Sequence, residues 1–199
     1  MMVTETNHKR VLGIIGSPRR GGNTEILVDE VLRGAKEAGA LVEKVTLSKL
    51  DINPCRGCDA CTQTGQCVQK DDMAALLEQM ERCQVWVLGT PIYWWGPTAQ
   101  LKAFIDRWYG VKCGDDQGEM FIGRRAILAI PLGDTYAGST RHTVGMFEDI
   151  LAYLGIEHLD TIVASGVLDR GDVRKHPDVL AKAYQAGREA IAGQDKKQD

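Results

Sequence analysis

The sequence predicts an α/β fold in which five parallel strands form one sheet with helices on both faces. Three observations carry this reading. Short apolar runs alternate along the chain with longer segments whose apolar residues recur at helical spacing. Most of those runs are continuous rather than alternating, the pattern of strands buried on both faces. The 199 residues can bury one core, and no internal repeat, Pro/Ser-rich linker or low-complexity block divides them. Only Met1 to Asn7 and Gln194 to Asp199 read as loose ends.

The elements follow in order. Arg10–Gly16, "RVLGIIG", is a buried strand. Asn23 or Thr24 is placed to cap a helix with the stripe Leu27, Val31, Ala35 and Ala38, ending at Gly39. Leu41–Leu47 alternates and reads as a half-exposed strand, and a cysteine-rich loop at about 54–70 follows. Asp72, as a cap, would open a helix running to about Arg82. Gln84–Thr90, "QVWVLGT", is a very apolar and therefore central strand. Pro97 suits the first turn of a helix whose buried face is Leu101, Phe104, Ile105 and Trp108. Arg125–Leu132 is the fourth strand, Ser139–Leu154 a helix and Asp160–Val167 the fifth strand. A last helix carries Leu180, Tyr184, Gly187 and Ile191 on one side.

With right-handed crossovers, five such strands fit the three-layer, flavodoxin-like sandwich with strand order 2-1-3-4-5. Ligands in that fold sit beyond the carboxyl ends of the strands, where strands 1 and 3 diverge. The loops after the first and third strands therefore become the candidate site. The formal charge of −3 gives no general attraction to nucleic acid or anionic membrane. No apolar run has the length of a bilayer span, and no signal-peptide core precedes the first strand, so a cytoplasmic protein is expected.

The first loop, "GSPRRGGNT" from Gly16 to Thr24, leads from a buried strand to a helix N-terminus. Free N–H groups and the helix dipole there favour an anion. Ser17, Asn23 and Thr24 supply short donors, Arg19 and Arg20 supply charge, and Gly21 and Gly22 let the backbone curl round a bound group. A phosphate suits it. Gly22 stands where a P-loop lysine belongs, and G-x-G-x-x-G is absent, which counts against a nucleotide-dependent phosphotransferase. The second loop, Thr90 to Trp108, carries adjacent Tyr93, Trp94 and Trp95. Exposed rings need a partner surface, and a flat isoalloxazine would supply one, as would the core or a subunit interface. Trp86 and Trp108 read as core. FMN satisfies both loops; ATP satisfies only the first.

"IIGSPRRGGNT" and "GTPIYWWGPTAQLKAFIDR" resemble the NADPH-dependent FMN reductase superfamily, and the cysteines between them resemble its iron–sulfur flavoprotein branch. The resemblance spans roughly Arg10 to Val167 of a chain read as one FMN-binding domain, 1–199. It implies an FMN phosphate held by Ser17, Arg19, Asn23 and Thr24, with the backbone of Gly22 beside them. It implies a flavin ring lined by Pro91, Ile92, Tyr93, Trp94 and Gly96, with Trp95 adjacent, and adds Gly133 and Asp134 from "PLGDTYAG". It further implies a homodimer or homotetramer whose flavin site a neighbouring subunit completes.

Cys55, Cys58, Cys61 and Cys67 have the spacing C-x2-C-x2-C-x5-C. Three thiolates at steps of three can converge on one cubane and the fourth can close it, so one [4Fe–4S] cluster is the leading reading, with Arg56 placed to offset its charge. A zinc site, a redox-active Cys55–Cys58 pair and four free thiols remain alternatives. Cys83 and Cys113 read as bystanders. The four scattered histidines, His142 among them, form no catalytic set, and the pairs Asp71–Asp72 and Asp115–Asp116 read as solvated. No catalytic side chain is assigned; the cofactor would carry the chemistry. The expected activity is electron transfer from NAD(P)H or a ferredoxin-like donor to flavin, quinone, or another small or protein acceptor. A cluster-free FMN/quinone reductase and a non-catalytic redox sensor are the alternatives.

Overall fold

The computed structural model describes residues 9–114 and 118–192. Asp115 and Asp116, and both segments read as loose ends, lie outside the described residues. The strands are β1 (Arg10–Ile15), β2 (Leu41–Thr46), β3 (Val85–Gly89), β4 (Arg125–Pro131) and β5 (Glu157–Ala164). The helices are α1 (Asn23–Glu37), α2 (Ala60–Thr64), α3 (Met73–Glu81), α4 (Ala99–Asp106), α5 (Trp108–Lys112), α6 (Arg141–Leu154) and α7 (Pro177–Ala192). All pairings are parallel, in the order β2-β1-β3-β4-β5. This is the flavodoxin-like sheet that the alternation predicts.

Burial follows strand position. β3 and β4 are buried throughout, whereas β2 and β5 flank the sheet and are half-buried. One face packs Val11, Val87 and Ile127 against α1 and α7; the other packs Leu12, Trp86 and Leu88 against α3 to α6. Trp86 and Trp108 are core residues, as read, and Trp86 Nε1 donates to the Met80 carbonyl at 3.1 Å. α1 and α7 touch backbone to backbone. A Cβ on Gly34 would lie 1.9 Å from the Tyr184 carbonyl oxygen, and one on Gly187 would lie 1.9 Å from that of Val31.

Several boundaries differ from expectation. β5 begins at Glu157, because "EHLD" pairs as an edge strand despite its polar character, and it ends at Ala164. α1 has Gly22 at its N-cap, with no side-chain cap. Pro97 lies ahead of α4, whose cap is Thr98: its hydroxyl accepts from Leu101 N–H at 3.3 Å. Asp72 stands at the N-cap of α3 as expected, but its side chain makes no capping bond; Asp71 accepts from Met73 N–H instead, at 3.2 Å. Asp71 is also not solvated. Its side chain is 1% exposed and is paired with Arg107, which is 3% exposed.

Candidate cofactor site

Parallel strands bring the loops after β1, β3 and β4, together with the long β2–α3 connection, to one edge of the sheet. The loops after β1 and β3 are tied to each other. Gly16 N–H donates to the Gly89 carbonyl at 2.7 Å, and Thr98 Oγ1 donates to the Gly16 carbonyl at 2.8 Å. Thr90 Oγ1 in turn accepts from Thr98 N–H at 3.1 Å. Thr90 and Thr98 are fully buried, so these bonds are shielded from water.

In the β1 loop, Ser17 is buried and its Oγ accepts from Arg19 N–H at 3.2 Å. Arg19 reaches the Leu168 carbonyl at 3.1 Å. Thr24 is buried in the first turn of α1. Asn23 differs from the expected phosphate donor. Its amide donates to the carbonyls of Val167 at 3.1 Å and Asp169 at 2.9 Å, and its oxygen accepts from Val173 N–H at 3.2 Å. Those bonds fasten the loop after β5 and leave Asn23 only its backbone N–H for an anion. The loop already holds one carboxylate: Glu25 accepts from Gly21 N–H at 2.6 Å, while its other oxygen pairs with Lys44 at 3.0 Å. The Gly21 amide draws the Glu25 pKa below its ordinary value, against the upward push of burial, and Lys44 adds to the lowering.

The β3 loop holds the aromatic residues in a strained turn. Tyr93 and Gly96 exchange both backbone hydrogen bonds, at 2.9 and 3.0 Å. Trp94 and Trp95 lie between them at φ of 49° and 60°. Two successive positive φ values define the tight turn for which Asn-Gly is the favoured sequence; a Trp-Trp pair there is strained. Thr143 on α6 pins it, donating to the Trp95 carbonyl at 2.8 Å. Trp94 is 91% exposed and Trp95 52%. Ile92, Trp94 and Trp95 line a cavity of about 190 Å³ with Leu132, Gly133, Asp134 and Ser139. Of the expected ring-lining residues, Ile92, Trp94 and Trp95 therefore meet Gly133 and Asp134, whereas Pro91, Tyr93 and Gly96 do not line this cavity. Asp134 is held by Ser139 Oγ and by Tyr136 N–H, and these donors keep its carboxyl below the usual range.

Cys55, Cys58, Cys61 and Cys67 all border one small pocket, with Arg56, Arg107, Tyr109 and Gly110. Cys61 is buried, on α2, and the other three are exposed. Among the described residues no three His, Cys, Asp or Glu side chains are arranged as a metal site. The donor set nevertheless suits a thiolate-ligated group, being four soft ligands round one pocket. The Gly110 backbone lies beside this pocket, where a Cβ would meet Cys61 and Cys67 only at ordinary contact distance. Burial pushes the Cys61 thiol up, and Cys67, Cys113 and Cys55 add to the rise. Cys113 lies near enough to Cys61 for their charges to interact, but it does not border the four-cysteine pocket. It also acts on Tyr109, whose bond to Asp59 at 3.1 Å is the main cause of its pKa being pushed up to about 12. Cys83 is fully buried, and burial lifts its thiol to about 11. His142 is exposed beside Arg141, as expected of a surface histidine.

A doubly wound sheet in this order, with an anion-type loop after β1 and an aromatic cavity between the β3 and β4 loops at the same edge, defines a class, the flavodoxin-like proteins. Within it the chain belongs to the NADPH-dependent FMN reductase family, whose model matches residues 9–167, and it is an oxidoreductase. It is 43% identical over 183 residues to an iron-sulfur flavoprotein of Archaeoglobus fulgidus, covering 89% of this chain and 77% of that one. It is 38% identical over 98 residues to an iron-sulfur flavoprotein of Methanosarcina thermophila, covering 49% of this chain and 51% of that one. The fold is similar to that of an NAD(P)H:quinone oxidoreductase from Methanothermobacter marburgensis, with a TM-score of 0.71 at 21% identity over 92% of this chain and 95% of that one. No helix among the described residues is long and apolar enough to cross a membrane.

Proposed function

We propose that the protein is a single-domain, cytoplasmic FMN oxidoreductase that carries a [4Fe–4S] cluster on Cys55, Cys58, Cys61 and Cys67. The observation that carries the flavin assignment is the Trp94–Trp95 turn, held at positive φ on the rim of a cavity that Gly133 and Asp134 share. Strain of this kind persists where surrounding structure over-determines it, as at ligand clamps. In this reading the β1 loop takes the FMN phosphate on the N–H groups at the start of α1, with Ser17, Arg19, Gly22 and Thr24 around it. Asn23 orders that loop through β5. Pro91 to Gly96 border the isoalloxazine. Bound FMN would supply two-electron and one-electron chemistry, and the cluster one-electron chemistry. The chain's own part is to hold the two groups on one edge and limit water at the ring.

NAD(P)H or a ferredoxin-like protein would be the donor, and a quinone, free flavin, or another small or protein acceptor would take the electrons. Exposed Trp94, Tyr136 and Leu168, at 91%, 71% and 68%, support a homodimer or homotetramer with a neighbouring subunit over the ring. Anaerobic purification followed by assay of FMN, iron and acid-labile sulfide tests the assignment. Near-stoichiometric FMN with four irons and four sulfides per chain is expected. Failure to take up FMN on reconstitution would overturn the flavin reading, and FMN without iron or sulfide would favour the cluster-free reductase.

A further inference from the structure

The cysteine loop leaves the body of the protein after Asn53 and rejoins it at Asp71, and this neck is tightly closed. Asp51 N–H donates to Asp72 Oδ2 at 2.7 Å, and Asp72 N–H returns to the Asp51 carbonyl at 2.9 Å. Asn53 N–H donates to Asp71 Oδ2 at 3.1 Å. Across both sides lies Arg107, from the junction of α4 and α5. Its Nη1 donates to the Asn53 carbonyl at 2.9 Å and to Asp71 Oδ2 at 2.6 Å, and its Nη2 to Asp71 Oδ1 at 3.1 Å. Only a planar fork can make this set of bonds; a lysine ammonium cannot span it.

Arg107 is not fully used by the neck. Its Nε is buried with no hydrogen-bond partner, which for a charged group is costly unless something else meets it. The residue borders the small pocket shared by the four cysteines and an adjoining cavity of about 380 Å³, and Cys67, Gln69 and Gly110 line both. The guanidinium is close enough to the Cys67 side chain to interact with it. Arg56 borders the same pocket, but on the exposed loop, where water screens its charge. Arg107 is the buried cation there.

Resting on the cluster reading above, we propose that Arg107 is a positioning residue for the iron–sulfur group: it closes the neck of the ligand loop and sets a fixed positive charge beside the Cys67 ligand. Two consequences follow. The clamp keeps Cys55 and Cys67 near one another before the metal arrives, so removing the fork loosens the loaded site. The charge favours the more negative, reduced form of the cluster, so removing it makes reduction harder.

The experiment uses the anaerobically purified holoprotein and reads iron and sulfide content, the cluster's reduction potential by EPR-monitored titration, and the rate of iron release to a chelator. Arg107→Gln removes the charge; Arg107→Lys keeps the charge and loses the fork. Arg107→Gln is expected to lower the cluster potential by an amount equivalent to about tenfold weaker reduction, about 59 mV for one electron. Arg107→Lys is expected to hold the potential near wild type while releasing iron several-fold faster. If Arg107→Gln fails to fold, Arg107→Gln/Asp71→Asn removes both buried charges and keeps hydrogen-bonding groups; a smaller shift of the same sign is expected. Retained FMN shows that each variant is folded. A folded neutral variant with wild-type potential and iron release overturns the role of Arg107 and leaves the cluster reading intact. Wild-type protein without iron and sulfide after reconstitution overturns both. A lowered potential in Arg107→Lys equal to that in Arg107→Gln overturns the charge contribution.

Discussion

The loop that follows β3 and the loop that follows β2 sit on the same edge of one sheet and are built by opposite means. The β3 loop is bonded along its length: Thr90, Thr98 and Gly16 lock its base, the Tyr93–Gly96 bridge closes its tip, and Thr143 pins it from α6. The cysteine loop is fastened at its neck by Asp71 and Arg107, while Cys55, Cys58 and Cys67 beyond the neck are exposed. The first is shaped before any ligand arrives, and rigid preorganisation favours binding a planar ring. The second is gathered but open, as suits ligands that close only on a metal. The comparison teaches that one edge can combine a loop bonded along its length with one that is gathered but left open, provided that each is anchored separately.

Breaking the neck should have the largest effect. Asp71→Ala leaves the Arg107 guanidinium buried without its carboxylate, at a cost of about 3–5 kcal/mol, seen as a large fall in Tm. Asp106→Ala, which removes the exposed Lys102 pair, should cost under about 1 kcal/mol; equal losses would mean that the neck is not a special anchor. Next is the base of the flavin-side loop. Thr98→Val keeps shape but loses the α4 cap and the bond to Gly16, costing about 1–3 kcal/mol in urea unfolding and weakening FMN retention.

The turn itself gives an effect of the other sign. Trp94→Gly should stabilise the FMN-free protein by about 1 kcal/mol through relief of positive φ, whereas Trp94→Ala should not. Both should bind FMN less tightly, by equilibrium fluorescence titration. A Trp94→Gly protein no more stable than Trp94→Ala would mean that the turn stores no strain. The smallest effect concerns acid. Asp71 and Glu25 both have lowered pKa values, so each contributes stability above its ordinary value of 3.8 or 4.5 and loses it as pH falls further. For Asp71, burial pushes upward but is outweighed by Arg107 and the amides of Asn53 and Met73. Glu25→Gln should therefore be less stable than wild type at neutral pH, with the difference shrinking as pH falls below 4.5 in urea titrations.

Much of this was legible in the chain itself, since apolar runs such as "VLGII" and "VWVLG" announce buried parallel strands and so fix which loops share an edge. Trp86 and Trp108 were readable as core from their place in strand and helix. What escaped reading depends on contacts distant in sequence. Asp71 reads as a surface acid because Arg107 is 36 residues away. Asn23 reads as an anion donor because Val173, its partner, is 150 residues away. The Trp94–Trp95 turn escaped because no local rule predicts two tryptophans at positive φ. The single turn of α2 is too short to show a period, and it opens at Asp59, another residue at positive φ.

The crossing at which Gly34 meets the Tyr184 backbone and Gly187 meets the Val31 backbone makes α7 a buttress for chemistry that it does not touch. It lies beyond the stretch matched by the family, 9–167, yet α1 rests directly on its backbone, and α1 carries the proposed phosphate loop at its other end. A methyl at either glycine would act as a wedge and tilt α1 like a lever about its crossing with α7. The Gly22 amide would swing away from its anion while every residue of the site kept its identity. Affinity for the cofactor is therefore vulnerable at a helix crossing remote from it, and a shortened chain that lost α7 would leave the lever without its fulcrum.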